Sequence, residues 1–299
     1  MPSFTSNSKS GFLLITVTAA LFCFLVYSLL VNAKVIKPAH GQSDRQKNII
    51  KAERYLYSPK YFPAVIVGSS LSARMEDEFF PGWLYNLSFH GGSPYTGMEF
   101  IKKKPKLPRL LLVEINIIEG EVDRSLLNIF SPPLLPAWRQ FLPVLRDQYK
   151  PSGVLTDAVI GLRAKTVKEK RAQGRDEKIF SENLNLFYRL NMQEPEYEKI
   201  ANRISQLEEY CGHFSAQGVK IIFFEMPVDI KIRQARRPAW VREKIIEKFG
   251  AENLLQPSSD RSYITTDSLH LVYKSAEEFA AVISAYAGAQ GIPPGAGDK

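Results

Sequence analysis

The chain has 299 residues, 45% of them hydrophobic, which is enough for one large domain or two small ones with a substantial core. Its net charge of +8 suggests attraction to anionic surfaces. The sequence has neither zinc-ligand spacing nor an RNA-binding aromatic signature, so we expect no nucleic-acid partner. Its two cysteines, Cys23 and Cys211, cannot form a disulfide framework and have no metal-ligand neighbours. We therefore expect no metal site and no cofactor.

The N-terminal segment is strongly apolar. Residues 12–31, FLLITVTAALFCFLVYSLLV, carry no charge and match the roughly 20 residues that a helix needs to cross a bilayer. A cleaved signal peptide has a shorter apolar region of about 7–15 residues, although VNA at 31–33 resembles a cleavage site. Residues 1–33 are predicted to be an uncleaved membrane anchor, with a signal sequence as the alternative. Basic residues are more numerous after this segment than before it. The positive-inside rule alone would therefore hold the rest of the chain in the cytoplasm, but large domains are translocated largely regardless of such charges.

Strand and helix patterns alternate through most of the remaining chain. Residues 34–60 are polar and basic and are predicted to be a juxtamembrane linker, followed by one domain over 61–290. Strands alternating with helices predict an α/β fold, a flavodoxin-like three-layer sandwich with a parallel central sheet, preceded by one transmembrane helix. Residues 120–190 lack a strand pattern and are predicted to be a largely helical insertion over the carboxyl edge of the sheet. The predicted strands are 65–68, 83–87, 109–115 and 219–226, and the predicted helices are 71–79, one opened by Ser93 and Pro94, 195–218, 238–249, and one capped by Ser275 with Glu278 and ending near 288.

Polar residues cluster where the predicted strands end, which is where function collects in open α/β sheets. Acyl transfer needs a hydroxyl, an imidazole to take its proton, a carboxylate to orient the imidazole, and donors for the oxyanion. Each of these groups is present at the end of a predicted element. They are Ser69, Ser70 and Ser72 after the first strand; Asn86, Ser88, His90, Gly91 and Gly92 after the second; Glu114 and Asn116 after the third; Glu225 and Asp229 after the fourth; and Asp267 and His270 before the last helix.

Three of these stretches resemble the sequence blocks of the SGNH (GDSL) esterases and acyltransferases. GSSLSA at 68–73 resembles the first block, Gly-Asp-Ser-Leu-Ser, with Ser69 standing where that block usually has aspartate. NLSFHG at 86–91 is similar to the second block, in which an asparagine precedes the oxyanion-hole glycine by five positions. DSLH at 267–270 matches the final Asp-x-x-His block. The resemblance spans about 63 to 285, outside the insertion, and it is closest to membrane-anchored members that act on cell-envelope polymers.

The resemblance implies a role for each matching residue. It implies that Ser70 is the nucleophile, His270 the general base and Asp267 the residue that orients the base. It also implies an oxyanion hole made by the Ser70 and Gly91 backbone N–H groups and the Asn116 side-chain amide. The usual third block is absent, and VEIN at 113–116 offers Asn116 two positions early.

Simpler interpretations of these residues stay open at this point. The role of Ser69, Ser70 or Ser72 could be simply to cap the helix that follows. The role of Gly91 could be simply to form a turn. His90 is interpreted as structural or substrate-lining, with an alternative role as base. Glu114, if buried, needs a partner, for which we expect Arg74 or backbone donors.

The resemblance also implies a function and a location. The function is that of an envelope-facing serine O-acyl esterase or O-acyltransferase acting through an acyl-enzyme on an acylated polysaccharide or a small acyl ester. A multipass membrane acyltransferase is a reasonable partner. The protein is expected in the cytoplasmic membrane. A single span would hold it there, with the globular domain outside the cytoplasm. The alternative is a non-catalytic SGNH-like scaffold or binding subunit of a polysaccharide assembly machinery, and a lipase or thioesterase is a third interpretation.

Overall fold

The computed structural model describes residues 6–132, 134–163, 175–257 and 262–292. The chain divides into two compact units, one made of Met1–Ile50 with Phe130–Arg163 and the other of Lys51–Ile129 with Ala164–Lys299. The helices are α1 (Ser6–Asn32), α2 (Asp44–Leu56), α3 (Ser70–Ala73), α4 (Pro94–Lys102), α5 (Arg124–Asn128), α6 (Leu134–Phe141), α7 (Pro151–Arg163), α8 (Glu177–Met192), α9 (Tyr197–Ser215), α10 (Ile230–Arg233), α11 (Arg236–Phe249) and α12 (Tyr273–Ala289). The strands are β1 (Ala64–Val67), β2 (Leu84–Asn86), β3 (Leu110–Glu114), β4 (Lys220–Phe224) and β5 (Leu254–Leu255).

The second unit is built on one five-stranded sheet in which every strand pair is parallel. The strand order is β2-β1-β3-β4-β5, which is the flavodoxin-like order. The predicted fold class, a parallel central sheet flanked by helices, is therefore confirmed. Because β1 and β3 occupy the middle of the sheet, the residues that follow them lie at the centre of its carboxyl edge.

Both faces of the sheet are covered by helices, and this explains why its strands are apolar except at residues that begin or end them, such as Asn86, Glu114 and Lys220. On one face, Ile66, Leu112 and Phe224 belong to a buried cluster that also contains Phe279 and Ile283 of α12. On the other face, α4 packs so closely on β1 that a Cβ atom at Gly97 would meet the Val67 side chain at 2.5 Å. The alternation of side chains along each strand assigns successive residues to opposite faces.

The first unit contains the apolar N-terminal helix. Within the described residues, α1 is the one helix long and apolar enough to cross a membrane, and its most apolar part is only 6% buried. The Tyr27 hydroxyl near its end donates to the Tyr149 carbonyl at 2.8 Å. The following chain is held by Ala39, whose N–H donates to the Gln148 carbonyl at 2.7 Å.

Two predictions about domain organisation are corrected. The stretch 34–60 is not only a linker, because α2 occupies part of it and buries Ala52 and Tyr55. The stretch 120–190 is largely helical where the structure describes it, and it divides between the two units. Residues 130–163 group with the N-terminal segment, whereas α8 belongs to the unit that contains the sheet and contacts α10 and α11. Residues 133 and 164–174 of this stretch lie outside the described residues.

Candidate active site

The short connection after β1 separates the roles of its three serines. Ser69 is the N-cap of α3, and its hydroxyl accepts from the Leu71 N–H at 3.2 Å. Ser69 and Ser72 are both buried, with exposures of 1% and 0%. Ser70 lies between them with its side chain partly exposed at the carboxyl edge of the sheet. The capping interpretation therefore applies to Ser69, and Ser70 is the serine that faces outward.

A carboxyl group from the neighbouring strand holds this connection in place. Glu114, the last residue of β3, is 1% exposed. Its side-chain oxygens accept from the Ser69 N–H at 2.9 Å, the Ser69 hydroxyl at 2.5 Å, the Ser72 N–H at 3.1 Å and the Ser72 hydroxyl. All four donors are neutral, and the exposed Arg74 is not among them. Of the two expected kinds of partner, the backbone donors are present, and two serine hydroxyls join them. A buried acidic side chain is tolerated when it is hydrogen-bonded this fully.

A buried asparagine from β2 fixes the other end of the short helix α3. The Asn86 amide donates to the carbonyls of Ser72 and Met75, both at 2.8 Å, and its oxygen accepts from the Ser88 N–H at 3.1 Å. These bonds satisfy carbonyls that a helix of four residues cannot satisfy internally. Three adjacent strands therefore fix the orientation of Ser70.

His270 and Asp267 lie on a tight loop before α12. An antiparallel bridge between Thr265 and Leu271 closes the loop, and Ser268 at its tip has a φ of 73°, in the left-handed region. The Asp267 Oδ1 atom accepts from the backbone N–H groups of Leu269 at 3.2 Å and His270 at 2.8 Å. The loop is attached to the end of β4 by a hydrogen bond from the Asp229 N–H to the Ser268 carbonyl at 2.9 Å.

The structure brings Ser70, His270 and Asp267 into one hydrogen-bonded line. His270 Nε2 lies 3.2 Å from Ser70 Oγ, and His270 Nδ1 lies 2.7 Å from Asp267 Oδ2. The His270 and Asp267 side chains are 18% and 25% exposed, so the line is partly shielded but open to a ligand. Burial would raise the pKa of the Asp267 carboxyl, but the hydrogen bonds from the His270 ring and from the backbone of His270 and Leu269 outweigh it and hold this pKa well below its ordinary value. Asp267 is therefore an ionised partner for the imidazole at any ordinary assay pH.

Two backbone N–H groups that follow β1 and β2 make no hydrogen bond within the described residues. Among the described residues, the N–H groups of Ser70 and Gly91 have no hydrogen-bond partner, whereas those of Ser69, Leu71 and Ser72 all do. Gly91 has a φ of +65° and no atom within 4 Å of the position where a Cβ would lie, so its backbone is uncovered. The chain that carries Gly91 lies beside the β1 connection, because Phe89 N–H donates to the Gly68 carbonyl at 3.3 Å.

Asn116, the third predicted oxyanion donor, is already engaged. Its amide donates to the Met226 carbonyl at 3.1 Å, and its oxygen accepts from the Met226 N–H at 2.7 Å. One of its two amide hydrogens is thus committed to the segment that follows β4, and only the other remains as a donor. The side chain lines a cavity together with Leu71 and Leu269.

A metal centre and a cysteine nucleophile are the alternatives to a reactive serine in the unit that contains the sheet. No group of three or more His, Cys, Asp or Glu side chains among the described residues could hold a metal ion. Burial raises the pKa of the Cys211 thiol to about 12, which keeps this side chain unreactive. No protein-family model, curated protein or solved structure matches the chain.

Sequence reasoning predicted Glu114 as a structural residue with backbone donors, but it predicted neither the Ser69 and Ser72 hydroxyls as partners nor the full contribution of Asn86. The sequence signal for Glu114 was an acidic residue ending an otherwise apolar strand, in a chain whose first block has serine in place of aspartate. A buried acidic group next to a polar turn suggests a pairing, but which turn it contacts depends on the strand order. The pairing of β1 with β3 supplies that information.

Proposed function

We propose that the chain is a serine O-acyl esterase or O-acyltransferase that works through an acyl-enzyme. The proposal rests on the hydrogen-bonded line of Ser70, His270 and Asp267. His270 Nε2 lies 3.2 Å from Ser70 Oγ, and His270 Nδ1 lies 2.7 Å from Asp267 Oδ2. A hydroxyl, an imidazole and a carboxylate in this order form the arrangement that activates a serine for attack on an acyl carbon.

The reaction follows from the positions of these atoms. Ser70 Oγ attacks the ester carbonyl while its proton moves to His270 Nε2, and Asp267 stabilises the imidazolium through Nδ1–H. The Ser70 and Gly91 N–H groups stabilise the oxyanion. The tetrahedral intermediate then releases the alcohol, which takes the proton from His270 and leaves an ester on Ser70. In the second half, water or an acceptor hydroxyl gives its proton to His270 and attacks the acyl carbon. The bond to Ser70 Oγ then breaks, and Ser70 Oγ takes the proton back from His270 Nε2, which restores the free enzyme.

The substrate and location are proposed on more general grounds. The resemblance of the three sequence blocks to membrane-anchored envelope enzymes favours an acylated polysaccharide as substrate and a multipass membrane acyltransferase as partner. The apolar helix α1, long enough to span a membrane, supports attachment to the cytoplasmic membrane. The same resemblance favours a domain that lies outside the cytoplasm.

A serine-directed fluorophosphonate probe tests the proposal. We expect the probe to label the wild-type protein on Ser70, as identified by mass spectrometry, and to label neither Ser70→Ala nor His270→Ala. The matched control is Ser284→Ala, because the Ser284 hydroxyl only donates to the Ala280 carbonyl within α12 and the labelling should stay.

Turnover of small acyl esters gives the second readout. Ser70→Ala and His270→Ala should each lower kcat at least about 10³-fold, and the double variant should lose little more, because the residues act as a unit. A folded wild-type protein that is neither labelled nor active would favour the non-catalytic scaffold instead.

A further inference from the structure

An apolar cavity is lined by the residues next to the proposed nucleophile and base in the sequence. Leu71, which follows Ser70, and Leu269, which precedes His270, both line it. Its volume is ≈ 210 Å³. It is bounded by chain segments that follow β3 and β4 and by helices α8, α10 and α11, all of them in the unit that contains the sheet, and its uncharged polar lining is Asn116 and Asn191.

The walls of this cavity are mainly aliphatic. Ile232 and Val241 are 2% and 5% exposed, and Ile115 is 1% exposed, so these side chains are fixed by packing. Ile117, Val228 and Leu269 are partly buried hydrophobic residues that complete the aliphatic surface. A preformed concave surface of this kind favours a hydrocarbon group.

The charged side chains that line the cavity form ion pairs. Glu119 pairs with Arg237 at 2.7 Å, and Glu225 pairs with Arg233 at 3.3 Å and with Arg242, which does not line the cavity, at 2.9 Å. Every charged side chain that lines the cavity therefore has a partner of opposite charge, and the cavity presents no unpaired charge to a ligand. Such a rim does not favour a phosphate or a carboxylate, whose burial needs a free opposite charge.

We propose that this cavity binds the hydrocarbon chain of the transferred acyl group, and that the substrate is an ester of a medium-chain fatty acid rather than of acetic acid. This inference rests on the proposed function of Ser70. An apolar cavity of about 150 Å³ holds benzene, so the volume here accommodates a chain of about six to eight carbons. An acetyl group would leave most of the aliphatic surface uncovered.

A series of p-nitrophenyl esters with acyl chains of two to twelve carbons measures the preference. We expect kcat/KM to be highest at six to eight carbons and at least about 10-fold higher there than for the acetate.

Ile232→Trp and Val241→Phe fill the cavity and should each lower the ratio of octanoate to acetate turnover at least about 10-fold. Ile230→Trp is the matched control, because Ile230 lies on the same helix, is 55% exposed and does not line the cavity.

Two outcomes of this series would overturn the inference while leaving the proposed function intact. One is a wild-type preference for acetate that the filling variants do not change. The other is a preference that follows the alcohol part, measured with acetate esters of ethanol, hexanol and octanol, because the cavity would then hold the leaving group.

A binding measurement keeps the inference testable if no ester is turned over. The Ser70→Ala protein is titrated with 1-octanol, and the melting temperature is recorded. We expect octanol to raise the melting temperature of Ser70→Ala and of Ser70→Ala/Ile230→Trp, but not of Ser70→Ala/Ile232→Trp. Equal shifts in all three proteins would show that octanol binds elsewhere and would overturn the inference, whereas failure of the proposed function would appear separately as unlabelled Ser70.

Discussion

Glu114 controls the geometry of the proposed nucleophile without touching it. Its carboxyl oxygens accept four hydrogen bonds from Ser69 and Ser72, the residues on either side of Ser70 and Leu71. In Glu114→Gln, an NH₂ group replaces one acceptor and faces donors instead. Leaving buried donors without an acceptor costs about 1–3 kcal/mol for each group. We expect a lower free energy of unfolding and a kcat that is at least about 10-fold lower, with a smaller change in KM.

The conservative variant separates positioning from simple stability. Glu114→Asp keeps both acceptor oxygens on a shorter stem and should recover part of the lost kcat. Urea unfolding and steady-state kinetics on both variants provide the two readouts. A Glu114→Gln protein that is destabilised but has the wild-type kcat would limit this residue to a structural role.

Asp267 fixes both the position and the tautomer of the His270 imidazole. In Asp267→Asn, the remaining side-chain oxygen can still accept from the Leu269 and His270 N–H groups, so the loop should fold. The new NH₂ group would face His270 Nδ1 and favour the tautomer that carries its proton on Nε2, which cannot accept the Ser70 proton. We expect kcat to fall about 10²–10⁴-fold with an unchanged circular dichroism spectrum. Wild-type kcat in this variant would contradict the assignment of Asp267.

The low pKa of Asp267 also predicts how stability depends on pH. A carboxyl group whose pKa is lower in the folded than in the unfolded protein stabilises the fold above its unfolded value, 3.8, and loses this contribution as the pH falls toward the folded value. The free energy of unfolding of the wild type should therefore decrease more steeply below about pH 4 than that of Asp267→Asn. Urea titrations of both proteins between pH 2 and pH 6 measure this difference. If the free energy of unfolding falls with pH equally steeply in the two proteins, the folded structure does not hold the Asp267 carboxyl in its ionised form.

At the scale of single elements, the joint between β1 and α3 is the most tightly packed part of the site. A Cβ atom at Gly68 would meet the Ser72 hydroxyl, Glu114 Oε2 at 2.5 Å and Glu114 Cβ at 2.7 Å. Gly68→Ala should therefore destabilise the protein by about 1–3 kcal/mol and lower kcat with it. Gly212→Ala is the control, because Gly212 lies inside α9 with open space around it, and alanine there should stabilise the helix by up to about 1 kcal/mol. Urea unfolding compares the two variants, and equal effects would contradict the packing argument.

Elements were predictable from the sequence where one local pattern determines them. The first four strands were predicted to within a few residues, because continuous apolar runs between polar turns identify buried parallel strands. The helix predicted at 71–79 is wrong in length. α3 ends at Ala73, where the Asn86 amide donates a hydrogen bond to the Ser72 carbonyl. The capping box at Ser275 is also wrong. α12 begins at Tyr273, and the Ser275 hydroxyl accepts from the Ile264 N–H at 2.9 Å.

The site shows the same division between local and distant information. Ser70, Asp267 and His270 belong to short motifs, and sequence reasoning selected them. The four bonds to Glu114 and the engagement of Asn116 by Met226 depend on which strands are neighbours. The two-residue strand β5 was missed because it is too short to form a pattern.

At the scale of the whole molecule, the sidedness of the membrane attachment gives a prediction. The apolar helix α1 supports a membrane span, and the resemblance to envelope enzymes favours a carboxyl-terminal part outside the cytoplasm. We expect alkaline phosphatase fused to the carboxyl end to be active and to fractionate with membranes. The same fusion without residues 12–31 should be soluble and silent. An inactive phosphatase fusion together with an active cytoplasmic reporter would place the domain on the other side.

The strand order has a consequence for how the protein is made. Ser70 and His270 are 200 residues apart in sequence. The middle of the sheet cannot form until β4, which begins at Lys220, has been synthesised and can pair with β3. At about 5–20 residues per second, the ribosome delivers His270 roughly 10–40 s after Ser70. From Glu114 at the end of β3 to Lys220 at the start of β4 there are 106 residues, so for roughly 5–20 s of this interval the nascent chain exposes the apolar edge of β3, and such long-range parallel pairing is slow and exposed to aggregation. Under the proposed function, Ser70 has no base until synthesis is nearly finished, and we expect an unfinished chain to be inactive.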